Sequence, residues 1–334
     1  MTATAPLPAL ADGVSRPASR AATTGLVMAL ASALAFSSSG PFMKPLLEAG
    51  WSLGAALLVR MGLAALVLSA ALVATLLRQR GFVRDHWALI IGFGLMPVVG
   101  CQLLFFSAMQ RMPVAVALLI QYLAPVILVV AVWIRSRRRP SGLVLAGSVV
   151  AVSGLVLVVD VSGAAFDLWG VLFALGAAVC VCAYFVIAER AGDDLPPLAL
   201  AAAGLLFGTL VMAVLAVTGI LPFRAVDVTV TLAGAEVAWW IPVLWVGAVA
   251  TSVGYGLGVM AVPRIGSRVG SFVGLSEVLF ALAFAWIFLA EVPAPIQFVG
   301  GALILAGVIL VRLDATSSVG GRGAPATIPV VPAP

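Results

Sequence analysis

Ten apolar stretches, each about the length an α-helix needs to cross a hydrocarbon layer of roughly 30 Å, set the limits on what this chain can become. They are expected near 25–45, 52–77, 87–108, 113–134, 141–160, 167–188, 197–221, 239–262, 268–290 and 295–313. With 63% of 334 residues hydrophobic and 9% charged, too little polar surface is left to clothe a soluble domain. The longest connection is 222–238, so no segment outside the spans is long enough to fold as a catalytic or ligand-binding domain. The expected fold is an all-α polytopic membrane protein with ten transmembrane helices.

The cations sort by side. With the N-terminus in the cytoplasm, alternate connections collect Arg16, Arg20, Arg78, Arg80, Arg84, Arg135, Arg137, Arg138, Arg139, Arg190, Arg264, Arg268, Arg312 and Arg322 on the inner side. The outer side receives Lys44, Arg111 and Arg224, and Arg60 lies within a span. Cytoplasmic loops carry such an excess, so both termini are expected inside a cell membrane crossed an even number of times. The net charge of +5 then describes a membrane face. Nucleic acid is not an expected partner, because no basic–aromatic domain exists to hold it. Residues 1–21, rich in Ala, Thr and Pro, lack the apolar core of a cleavable signal and read as a disordered cytoplasmic tail, as do 314–334. Cys101, Cys180 and Cys182 sit within spans as small apolar residues. The single His86 makes no His-rich metal site, and neither metal nor cofactor is expected.

A shift of 153 residues lays spans four and five on spans nine and ten. It pairs Trp133 with Trp286, Ile134 with Ile287, Pro140 with Pro293, Gly147 with Gly300, Gly154 with Gly307, Leu157 with Leu310 and Val158 with Val311. Carried backwards, it pairs Arg111 with Arg264 and Gln102 with Tyr255. Two five-helix repeats, 22–162 and 163–313, are therefore expected. Five spans is an odd number, so the second repeat lies upside down relative to the first. The turns agree, since Arg135–Arg139 is basic and its counterpart at Phe288–Val292 carries Glu291. Inverted repeats place a solute site near the midplane and open it to each side in turn. The small residues Gly147, Ala151 and Gly154, with Gly300 and Gly307, suit close helix packing in lipid. Gly254, Gly256 and Gly258 lie inside an apolar span with no strand before them and are no nucleotide loop. No phosphate-binding Lys-Ser/Thr motif appears, so pumping driven by ATP is not supported.

Polar groups at membrane depth need a reason, since a charge there costs at least roughly 2.5–3.5 kcal/mol. Glu277 shares a face with Gly270, Gly274 and Ala281, a stripe that suits a cavity wall. An acid buried there is either a proton carrier or a static partner of Arg60 or Lys44. Arg60 either binds a substrate carboxylate through its planar fork, serves a structural ion pair, or hydrogen-bonds the backbone of a broken helix. Lys44 follows Ser37, Gly40 and Pro41 along one face of span one. Pro41 frees a carbonyl there, which reads as a broken helix, while Lys44 itself reads as an outer-interface side chain that snorkels. Gln102, Gln121, Tyr122, Tyr184 and Tyr255 are further mid-span candidates for substrate contact, with Thr251 and Ser252 on the stripe of Tyr255; ordinary interhelical hydrogen bonding is the alternative for each. Trp51, Trp87, Trp169, Trp239 and Trp240 read as interface anchors.

Together these residues resemble the drug/metabolite transporter superfamily in its ten-helix EamA-type branch, over about 25–312. The most specific stretch is Leu275-Ser276-Glu277-Val278-Leu279-Phe280-Ala281, continuing through Ala290-Glu291-Val292-Pro293 to Gly300-Gly301-Ala302 and Gly307. Within that branch the chain is similar to threonine/homoserine-type amino-acid exporters, through Lys44-Pro45, Arg60, Arg137-Arg138-Arg139-Pro140 and Arg190-Ala191-Gly192. The first repeat departs from the pattern, with Ala124 at the position of a mid-span acid. The resemblance implies export of small metabolites, amino acids first, without ATP hydrolysis or metal. Arg60 and Glu277 would set the charge of the cavity, a proton would be a possible co-substrate, and Glu291 would be a structural outer-turn residue. Transport of another metabolite or drug class and a non-transporting scaffold remain the alternatives. An intramembrane enzyme would need a clustered nucleophile and base or a metal site, which one His, three scattered Cys and no HExxH motif do not supply.

Overall fold

The computed structural model describes residues 16–124, 127, 142–159, 167–188, 195–274, 276–292 and 294–320. The basic turn 135–139, with Trp133, Ile134, Pro140, Asp160, Arg190 and Pro293, lies outside them. Helix α1 (Arg16–Ser37) passes through Ser38 into α2 (Ser39–Glu48), and α3 covers Leu53–Arg78. The third stretch is α4 (Phe82–Phe93), a π-helical segment at Gly94–Gly100, and α5 (Cys101–Met109). Then come α6 (Val114–Gln121), α7 (Gly142–Val159), α8 (Leu168–Ala188) and α9 (Pro197–Val217). A hairpin of β1 (Thr229–Leu232) and β2 (Ala235–Ala238) precedes α10 (Trp240–Leu244), a second π-helical segment at Trp245–Val253, α11 (Gly254–Gly274), α12 (Ser276–Leu289) and α13 (Pro295–Gly320). Among the described residues, five helical runs are long and apolar enough to cross a membrane: Ala22–Glu48, Leu53–Arg78, Phe82–Met109, Pro197–Val217 and Trp240–Ile265.

Helix formation here follows from apolar composition, and the interruptions follow from specific residues. In the first stretch Pro41 has no N–H to give, so the carbonyl of Ser37, four residues before it, loses its helical donor. The serines bond the backbone just ahead of that gap: Ser37 Oγ donates to Leu34 O and Ser38 Oγ to Ala35 O, each at 2.7 Å. Helix boundaries differ from the sequence expectation in two places. The helical run that starts at Gly254 continues through Pro263 to Gly274, because a proline withholds one donor and the neighbouring turns remain bonded. Glu277 lies in the helical stretch Ser276–Leu289. Helix also reaches into both expected tails, over 16–21 and 314–320.

The connection 222–238, the longest expected between spans, contains the hairpin. Ala233 and Gly234 both adopt positive φ, 51° and 78°, as a two-residue turn matched to strand twist requires. The hairpin is tied down: Ala233 N donates to Phe288 O, Trp51 Nε1 to Val226 O and Ser52 Oγ to Pro222 O. Trp51 is consequently 4% exposed and no lipid anchor. Trp87, Trp169 and Trp240 do stand exposed, and Trp239 bonds Asp227. Asp167 caps α8 by accepting from Gly170 N–H at 2.8 Å, and with the Arg111 guanidinium at 3.0 Å this holds its carboxyl below the usual carboxylate range.

Packing pairs the helices in matching sets: α1 with α11 and α8 with α5, α12 with α1 and α6 with α8, α3 with α9, α7 with α13. At the last crossing a Cβ on Gly154 would lie 2.5 Å from Gly300 O, and one on Gly307 would strike Gly147 O. The contact is reciprocal under the 153-residue shift. The same shift lays Gly94–Gly100 onto Gly247–Val253 of the second π-helical segment. Outward faces carry exposed Leu66, Leu77, Val214, Leu279 and Trp286, a surface that lipid accepts and water does not.

Candidate functional site

The interruptions converge on one cavity of about 150 Å³ between the two sets of helices. All seven candidates named from sequence line it: Arg60, Gln102, Gln121, Tyr122, Tyr184, Tyr255 and Glu277. Its volume lies below the roughly 300–1,000 Å³ of sites for drug-sized ligands. The wall is mostly apolar, with polar groups entering from α1, α3, α5, α6, α8, α11 and α12.

Arg60 comes from α3 and is 3% exposed. The alternative in which Glu277 serves as its static partner does not hold: its Nε donates to Thr251 Oγ1 at 2.6 Å, and its guanidinium lies 4.9 Å from the centre of the Phe106 ring. Among the described residues no carboxylate forms an ion pair with it. Glu277 instead accepts a hydrogen bond from Tyr122 O–H at 2.7 Å. Lys44 is also spoken for. It is 19% exposed at its side chain and pairs with Glu291, so it does not snorkel at the interface.

Gln102 and Tyr255, paired by the 153-residue shift, touch: Gln102 Nε2 donates to Tyr255 Oη at 3.3 Å. The Tyr255 hydroxyl donates in turn to Pro97 O at 2.8 Å. That carbonyl lies in the first π-helical segment, where widened turns leave acceptors without an intrahelical donor. The ring stands edge-on to Phe36 at 4.9 Å and near Tyr184 at 6.5 Å. Ser32 Oγ donates to Gly254 O at 2.7 Å. Gly258 lets α11 come this close, since a Cβ there would lie 2.9 Å from Ser32 Oγ and 3.0 Å from Tyr184 Oη.

Among the described residues, three buried side-chain atoms on the cavity wall have no hydrogen-bond partner: Arg60 Nη1, Gln102 Oε1 and Gln121 Oε1. Leaving a buried polar atom unbonded costs about 1–3 kcal/mol, more when it is charged. One cationic donor and two acceptors, each from a different helix, are thus available to a solute. Among the described residues no three His, Cys, Asp or Glu side chains gather as a metal site requires.

Sequence reasoning missed Ser32, Phe106 and Pro97. Pro97 carried a signal, a helix-breaking residue in mid-span. Ser32 was the polar residue one turn before the noted Ser37, and nothing in the sequence singled out Phe106.

The model of a family described as the EamA-like transporter family matches twice, over residues 23–160 and 168–313. The threonine/homoserine exporter RhtA of Escherichia coli K12 is 32% identical over 217 residues, 62% of this chain. The chain spans 65% of that relative's own length, slightly under two thirds. The protein of the same name from Salmonella typhimurium LT2 is 29% identical over 231 residues, covering 67% of this chain and 71% of its own. A Bacillus subtilis protein called an uncharacterized transporter, YwfM, is 27% identical over 68% of this chain and 74% of its own. One solved crystal structure superimposes with a TM-score of 0.56 at 20% identity, covering 90% of this chain and 98% of that one, a likeness of fold alone.

Proposed function

The chain belongs to the EamA-like transporter family, and from that premise we propose that it is a secondary transporter exporting small metabolites, amino acids first among them, by alternating access around the central cavity. The observation that carries this reading is the set of unpartnered atoms. A free amino acid offers a carboxylate for Arg60 Nη1 and an ammonium with three N–H donors for Gln102 Oε1 and Gln121 Oε1. Tyr122, Tyr184, Tyr255 and Glu277 complete the polar wall. Glu277, bonded to Tyr122, is the acid available to exchange a proton with the cavity.

Ten spans in a 5+5 inverted repeat, 22–162 and 163–313, belong to the same reading. Support comes from the double family match and from irregular backbone at positions equivalent by 153 residues. Under the positive-inside rule the protein lies in the cell membrane, with both termini and the arginine-rich connections cytoplasmic. The alternative of a drug-sized cargo is disfavoured by the volume of the cavity.

The test is flux in proteoliposomes. Purified protein loaded with unlabelled L-threonine, L-homoserine or L-serine is expected to exchange it for external labelled amino acid, and Arg60→Gln is expected to lower the apparent affinity at least tenfold, about 1.4 kcal/mol. Absence of exchange with every amino acid tried would defeat the amino-acid assignment. Exchange undisturbed by Arg60→Gln would remove the carboxylate contact.

A further inference from the structure

We infer that Thr251 is a positioning residue for the substrate carboxylate: from the second half of the chain it holds Arg60, in the first half, so that the unpartnered edge of the guanidinium faces the cavity. This rests on the transport reading above and adds to it a residue that touches no solute.

A long arginine side chain at membrane depth has many rotamers, and a bare cation in a cavity would turn towards whatever carbonyl lay nearest. Here it is held from two directions. Nε donates to Thr251 Oγ1 at 2.6 Å, and the guanidinium carbon sits over the Phe106 ring, 4.9 Å from its centre. Nη1 is left unbonded and buried on the cavity wall. Guanidinium groups recognise carboxylates through a rigid planar fork, so the direction of the plane decides whether the contact forms.

Thr251 is itself held. It is fully buried, and its hydroxyl donates to Val246 O at 2.6 Å, leaving the oxygen's lone pairs for Arg60. Both residues lie in the second π-helical segment, Trp245–Val253, where the helical bonding is widened. An aliphatic residue at 251 would have no hydroxyl with which to accept from Nε. The threonine therefore ties the direction of the anion-binding fork to the backbone of one irregular span, and a shift of that span re-aims the fork.

The experiment is amino-acid exchange in proteoliposomes, with KM and kcat measured separately for labelled L-serine. Thr251→Val keeps the shape and removes the hydroxyl; Thr251→Ser keeps the hydroxyl. The expected result is a KM about tenfold higher in Thr251→Val, with kcat within about threefold of wild type, and a Thr251→Ser protein close to wild type in both. A structural role alone would lower the yield of folded protein or kcat and leave KM in place. If Thr251→Val is not monodisperse in detergent, Thr251→Ala carries the same comparison. An unchanged KM in the valine or alanine protein, or a serine protein as impaired as the valine one, overturns the inference while leaving transport standing. A wild-type protein that exchanges no amino acid overturns both.

Discussion

Glu277 and Arg60 line one cavity, yet neither neutralises the other, and this separation decides what each is available to do. Arg60 is engaged by a neutral hydroxyl and an aromatic face, and Glu277 by a phenol. Glu277→Gln retains an oxygen that can accept from Tyr122 O–H and removes the exchangeable proton. Flux driven by an imposed pH gradient is therefore expected to fall at least tenfold, with exchange at equal pH on both sides largely kept. Unchanged gradient-driven flux would remove Glu277 from coupling. The candidate polar positions were legible in the sequence because a polar residue in mid-span is expensive and stands out against apolar neighbours. Their partners were not legible. Which hydroxyl or acid meets Arg60, Lys44 or Glu277 depends on how spans far apart in the chain pack, and hydropathy says nothing of that.

At the scale of elements, apolar length outlined the helical runs that the structure describes, and most of the breaks inside them escaped it. The break at Ser38 was readable from Pro41 among serines. The π-helical segments were not: Pro97 marks an irregular place in the first, but nothing in either stretch of sequence specifies the widened bonding. The small-residue face of α7 and α13 was readable, and its structure makes a prediction. At Gly154 an added methyl meets the backbone of Gly300 and Ile304, which has no flexible end to move aside. Gly301, on the same partner helix, would meet only Leu119 side-chain atoms at 3.4 Å and beyond. Gly154→Ala is expected to destabilise by about 1–3 kcal/mol, seen as a lower thermal midpoint in detergent, while Gly301→Ala leaves it nearly unchanged. Equal effects at the two positions would mean that α7 and α13 do not cross at their glycines.

For the whole molecule, the proposed alternating access requires that one end of the cavity be shut while the other opens, and the contacts at the Lys44 end suit a shut end. The Glu291 carboxylate pairs with Lys44 of α2 and accepts from Val114 N–H, the first residue of α6, at 3.3 Å. A single acid from the turn after α12 thereby joins two elements of the first half across the cavity mouth. Its place at a helix N-terminus adds favourable charge–dipole attraction. The hairpin strap covers the same end, binding Trp51 and Ser52 on one side and Phe288 on the other. Among the described residues, Glu291→Gln leaves Lys44 with the exposed Glu48 at 3.9 Å, so the shut state loses the ion pair that ties Lys44 to the turn after α12. In a protein with Cys101, Cys180 and Cys182 replaced by Ala, Ser39→Cys places a small thiol on the cavity wall. A membrane-impermeant maleimide added from the Lys44 side is expected to label it about tenfold faster when Glu291→Gln is also present, the equivalent of about 1.4 kcal/mol towards opening. Equal labelling rates with and without Glu291→Gln would make the Lys44–Glu291 pair a static tie, and the gate would then have to lie in the strap or in the π-helical segments.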